Sequence, residues 1–340
     1  MGRLDSVDPP AATAGGRITL AGEGFASDVL PVVRIGGVAA RVAAARASRL
    51  TVIVPQGLPG GPTAVQVDGC DGSIVLQVGR LLTDGLHQVD SPAIDTQGRA
   101  YLTYSGTRGQ QVPVSIFRVS ADGTRESFVT GLVNPTGMAF GPDGNLYVSS
   151  RFEGVVYKVD ESGQHDVAVS DCGVPCGLAF TPDGALLIGD RSGSILRVLP
   201  GGKAIAIAAV PASVAAFHLA MGPDGLLYVT APTMSARDHV YRVSLEGRVE
   251  VAWSGFGRPQ GLAVGTDGAL YVAEALAGGS GIHRIALDGN AVPERVLAGA
   301  GLVGLAFAPG GAVVVTSNEL AWRVDELSAA PAPFDSLRVP

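Results

Sequence analysis

"GMAFGPDGNLYVSSRFEGVVYKVD", residues 137–160, has a near-copy forty residues further on, "GLAFTPDGALLIGDRSGSILRVLP" at 177–200. In each copy an apolar run meets a Pro-Asp-Gly turn, a second apolar run follows, and a third run with one basic residue comes after a short loop. The turn has a local cause: Pro presets φ at an early turn position, Asp bonds to nearby backbone, and Gly accepts positive φ. Working outward, the turn glycine recurs as Gly98, Gly144, Gly184, Gly225, Gly268 and Gly311, dividing the chain from residue 86 onward into six units spaced by 40 to 46 residues. Several short strands in a unit of that length mark a β-propeller, whose blades bury both faces against their neighbours. The flanking runs, such as "NLYVSS" and "ALYVAE", alternate or are apolar throughout, as strands covered on both sides require.

Composition agrees with an all-β chain. Of 340 residues, 46% are hydrophobic and only 16% charged, with 48 Gly and 22 Pro, which suits short strands and tight turns better than long amphipathic helices. A formal net charge of −7 argues against nucleic acid as a partner, because neutralising phosphates takes a basic face. The most apolar run, 204–221, holds Pro211, Ser213 and His218 and falls where the repeat demands two strands, so no transmembrane span is expected. The N-terminal residues lack a secretory apolar core, which predicts a cytoplasmic location, or a periplasmic or extracellular one if a leader has been removed. Cys70, Cys172 and Cys176 are too few for a disulfide framework, and Cys172 and Cys176 read as small buried residues, with a redox or metal pair as the alternative.

The third run of every unit carries a cation: Arg118, Lys158, Arg197, Arg242, Arg284 and Arg323. Apolar neighbours on either side predict stems packed between blades and heads in rim salt bridges rather than an anion-binding ring. Residues 80–86 are expected to add an outer strand to the last blade near "LAWRVD", which removes the open edges.

Residues 1–79 do not fit the repeat. Their short strands "RITLAGEGF", "PVVRIGGVAARV", "RLTVIVPQG" and "GPTAVQV" suggest a small β-sandwich. "DPPAATAGGRITLAGEGF", "VRIGG" and "VIVPQGLPGGPTAVQV" give this segment a resemblance to the IPT/TIG immunoglobulin-like fold. Residues 86–325 resemble the NHL-repeat and gluconolactonase-type six-bladed propellers through "PTGMAFGPDGNLYVSS", "PCGLAFTPDGALLIGD" and "PQGLAVGTDGALYVAE". The expected organisation is thus an Ig-like sandwich at 1–79, a six-bladed propeller at 80–327 and a Pro/Ala-rich tail at 328–340.

The propeller resemblance implies a site at the mouth of the central channel, where Glu, Asn and Asp just before the innermost strands hold a divalent metal in gluconolactonase-type enzymes. Here that position reads Asp90, Thr136, Cys176, Phe217, Gln260 and Val303, with one carboxylate, whereas a hard cation needs several oxygens. A second tier, after the next strand, reads Tyr104, Ser150, Asp190, Ala231, Glu274 and Ser317. Asp90, Asp190 and Glu274 sit in alternate blades and form the weak candidate for calcium or another divalent metal, provided the register is right to the residue. His218 lies near the channel, with no nucleophile assignable beside it from sequence.

No catalytic residue and no cofactor is therefore expected. The reading is a non-enzymatic interaction or scaffold protein, a peripheral soluble subunit bound to other protein subunits, with docking on a membrane complex left open. The alternative is a metal-dependent lactonase or esterase centred on Asp90. A lyase like the streptogramin-inactivating propellers is the weakest, since those have seven blades.

Overall fold

The computed structural model describes residues 2–25, 29–87, 90–275, 279–289 and 291–327, so the expected tail at 328–340 lies outside the described residues. All regular elements among them are strands, and the apolar run at 204–221 resolves into Ala204–Ala209 and His218–Met221. No helix is long and apolar enough to cross a membrane.

Five four-stranded antiparallel sheets stand as separate blades. The first comprises Ala93–Ile94, Ala100–Thr103, Ile116–Val119 and Arg125–Val129, and the second Pro135–Phe140, Leu146–Ser150, Val155–Val159 and His165–Val169. Blades three and four begin at Pro175–Phe180 and His218–Met221. The last combines Gly304–Phe307, Val313–Thr316 and Ala321–Val324 with Arg80–Thr83, which pairs with Ala321–Val324 and supplies the outer strand expected from the sequence.

A six-bladed propeller is expected from the sequence, and five blades are found as separate sheets. The fifth repeat unit, from Pro259–Val264 to Glu294–Ala298, is continuous with the N-terminal strands in one thirteen-stranded sheet. The cause is Ala11–Ala12, a two-residue strand that pairs in parallel with Leu297–Ala298 on one side and Gln77–Val78 on the other. Ala298 lies in the core of the N-terminal unit and Ala11 in that of the propeller, so the two share apolar packing as well as a sheet. The N-terminal strands surround one core. Val38–Arg46 changes partner along its length, pairing through 38–40 with Val33–Ile35 and through 41–46 with Arg49–Ile53.

Inner strands touch in sequence around the ring, from 93–94 through 135–140, 175–180, 218–221, 259–264 and 304–307 back to 93–94. Their close approach follows from one repeated glycine. A Cβ on Gly137 would lie 1.8 Å from the Cys176 carbonyl oxygen, one on Gly177 2.4 Å from that of Phe217, and one on Gly304 2.4 Å from that of Asp90. Ser91 and His218 occupy this glycine position in the first and fourth units.

All six third-strand cations are paired at the rim, as expected. Arg118 meets Glu126, Lys158 meets Asp143, Arg197 meets Asp183, Arg242 meets Glu250, Arg284 meets Asp267 and Arg323 meets Asp325, at 2.6 to 2.8 Å. In the second blade the turn Asp143 also accepts from the Tyr147 hydroxyl. Burial pushes the Asp143 carboxyl up, but Lys158, Asn145 and Tyr147 outweigh it and hold it at about 2, below its ordinary 3.8. A depressed acid stabilises the fold above its unfolded pKa and loses that contribution as pH falls. Asp143→Asn should therefore flatten the decline in melting temperature between about pH 4 and pH 2; an unchanged acid limb in calorimetry would refute this role.

Candidate functional site

One end of the channel opens into a cavity of about 380 Å³. Of the first predicted tier, Asp90, Thr136, Cys176, Gln260 and Val303 line it. Phe217 does not: it is fully buried, its ring seated where a Cβ on Gly189 would be.

The second tier is displaced by one residue. The mouth is lined not by Tyr104, Ser150, Asp190, Glu274 and Ser317 but by the residues after them, Ser105, Arg151, Arg191, Ala275 and Asn318. Successive residues leaving a strand point to opposite sides, so this single step exchanges two carboxylates for two guanidiniums. Asp190 accepts from the Val174 and Ser192 amides at 2.9 and 3.3 Å and from the Ser192 hydroxyl, closing its own loop. Glu274 faces His283 at 3.6 Å. Burial drives the His283 imidazole below its ordinary pKa, against the opposing pull of Glu274. Among the described residues no three of His, Cys, Asp and Glu gather in a way that could hold a metal ion, so the weak candidate set of Asp90, Asp190 and Glu274 is not assembled.

Arg258 completes the cationic lining from the start of the fifth unit. Arg191 is steadied by its Nε donating to the Ser213 carbonyl at 3.3 Å. Cys176 lies among these charges, yet burial, with Asp90 adding to it, pushes its thiol to about 12, and Cys172 reaches about 11 for the same first reason. Both are free and buried, as the reading of small buried residues expected.

Below the mouth the channel narrows to about 60 Å³, lined by the repeated glycines together with Ser91 and His218. These two come from units three steps apart around the ring, and Ser91 Oγ lies 3.1 Å from His218 Nδ1. The contact bridges opposite units across the throat. His218 Nε2 is buried without a hydrogen-bond partner and lies 3.4 Å from Asp90 Oδ1. The Ser91, His218 and Asp90 grouping was missed in the sequence because two of its members stand where the repeat has glycine. That substitution, visible once the six inner strands are aligned, was the available signal.

Known proteins place the two halves differently. The IPT/TIG domain family matches residues 3–80. No curated protein matches the chain. A gluconolactonase from Xanthomonas campestris is similar at 18% identity and a TM-score of 0.59, over 74% of this chain and 90% of its own. Virginiamycin B lyase from Staphylococcus aureus is similar at 14% identity and a TM-score of 0.53, over 72% and 97%. An auxiliary nutrient binding protein from Bacteroides ovatus matches at 13% identity and a TM-score of 0.55, but over 97% of this chain and 98% of its own. At these identities the likeness to solved structures concerns the β-propeller fold alone, and the TIG match belongs to residues 3–80.

Proposed function

We propose that the protein is a non-enzymatic binding protein, built on a six-unit propeller of the NHL and gluconolactonase type, that takes a small molecule into its channel mouth. The pocket of about 380 Å³ carries this reading: its volume suits a small organic ligand, and below it Ser91 and His218 meet across the throat. Likeness to a nutrient binding protein over both halves of the chain supports the same class of role. The test is a melting-temperature screen against a panel of small metabolites, with Gln260→Leu as the blocked mouth; Val303, at the equivalent position of the last unit, shows that an apolar residue fits there. Compounds that stabilise the parent and not the variant are expected, and a panel with no such compound would remove the reading.

The domain limits 1–79, 80–327 and 328–340 belong to this proposal, as does the N-terminal unit's role as the part that meets other protein subunits. Its exposed Leu30, Val32 and Val38 favour such a contact. A peripheral subunit of that kind, cytoplasmic or on a membrane complex, should co-purify with partners in native mass spectrometry; an isolated monomer would count against it. The hydrolase alternative draws on the His218 and Asp90 contact. Lactone turnover by the metal-loaded protein, abolished by Asp90→Ala, would replace the binding reading.

A further inference from the structure

Three guanidiniums, Arg151, Arg191 and Arg258, stand around one small cavity whose lining includes a single carboxylate, Asp90, in a chain of net charge −7. The cations of the third strands are each tied to a carboxylate at the rim. Arg258 differs from them. Among the described residues its guanidinium has no ion-pair or hydrogen-bond partner, while its backbone is held at φ 63°, a left-handed conformation that favours glycine. Asn134, at the same place in the second unit, has φ 47°, but there the side chain explains itself by three hydrogen bonds to the neighbouring loop. Nothing local explains why arginine stands at 258, so its role is in what the mouth receives.

We infer that the mouth binds a small organic oxyanion, a carboxylate or a phosphate ester, held between Arg191 and Arg258 with Arg151 beside them. Arginine forks match both groups, and the shared chemistry is a planar or tetrahedral array of acceptor oxygens. Asp90, at the junction of mouth and throat, and Gln260 remain to accept from or donate to the rest of the molecule. A groove of about 270 Å³ shares Arg151 and Arg191 with the mouth and adds the exposed side chains of Phe152 and Val174. An apolar substituent on the anion would lie there, which favours an organic anion over an inorganic one. The inference rests on the mouth being a ligand pocket and names the ligand's class.

The experiment is calorimetric titration of the full chain at low ionic strength with benzoate and phenyl phosphate, against inorganic phosphate, neutral benzyl alcohol and cationic benzylamine. At least one organic anion should bind, more tightly than inorganic phosphate and with affinity that falls as salt is added, while benzylamine should not. Which of the two binds better distinguishes carboxylate from phosphate. Arg191→Ala and Arg258→Gly should each weaken binding about tenfold or more, as loss of a charged hydrogen bond does. Arg258→Gly is the sharper variant, since it relaxes the backbone and should leave the melting temperature unchanged or raised while binding is lost. Anion binding that survives both substitutions together would overturn the inference. Benzyl alcohol binding without either anion would overturn it and leave the pocket standing; silence from all five probes would overturn it too, and the metabolite panel then judges the pocket separately.

Discussion

Gly137→Ala should destabilise the propeller by at least about 4 kcal/mol, or prevent cooperative folding altogether. The added Cβ would sit 1.8 Å from the Cys176 carbonyl oxygen, deep inside van der Waals contact. That carbonyl cannot step aside easily, because it accepts from Ser149 Oγ at 2.7 Å while the same hydroxyl accepts from the Gly137 amide at 2.8 Å. The second and third blades would have to separate along the channel wall. Gly144→Ala is the control: its Cβ meets nothing within 4 Å, and only the φ of 79° opposes it, so roughly 1 to 2 kcal/mol is expected. Equal losses for the two in chemical denaturation would show that the inner-strand glycines are not spacing the blades.

Asn134→Ala is expected to cost about 3 to 4 kcal/mol. The fully buried side chain donates from Nδ2 to the Ser105 and Thr107 carbonyls at 2.6 and 2.9 Å, and its Oδ1 accepts from the Gly109 amide at 2.7 Å. Truncation leaves three backbone groups without their partner, two of them near enough to the surface for water to compensate in part. Asn134→Gly should lose less, by about 1 kcal/mol, because it removes the same bonds but relieves the positive φ. Ser105 lines the mouth, so the loss should also loosen ligand binding. A cost below about 1 kcal/mol for alanine would mean the loop holds itself without this side chain.

The repeat was legible because its causes are local. Turn glycines, the Asp of the turn and the cation of the third strand each act within their own unit, and their spacing carried the propeller, the strand from 80–83 that closes it and the paired rim cations. What escaped depends on contacts between units. The fusion of the fifth unit to the N-terminal strands hangs on Ala11 and Ala12, two residues whose composition says nothing about their partners. At the site, the first tier was readable because the inner strands begin alike, and Asp90, Thr136, Cys176, Gln260 and Val303 line the mouth while Phe217 is buried. The second tier failed at the strand exit, where a shift of one residue reverses the facing: Asp190 and Glu274 turn to local partners while Arg151 and Arg191 take the mouth. At both strand exits the residue that faces the mouth is an arginine one position beyond the one named from sequence.

The most direct measurement is a pair of crystal structures of the full chain grown at low ionic strength, one with phenyl phosphate and one with benzoate. In at least one of them the anionic group is expected in the channel mouth within hydrogen-bond reach of Arg191 and Arg258, above the Ser91 and His218 contact, with the ring toward Phe152. An empty mouth in both, with the compounds absent or bound only elsewhere on the surface, would contradict the assignment of the mouth as an organic-anion pocket.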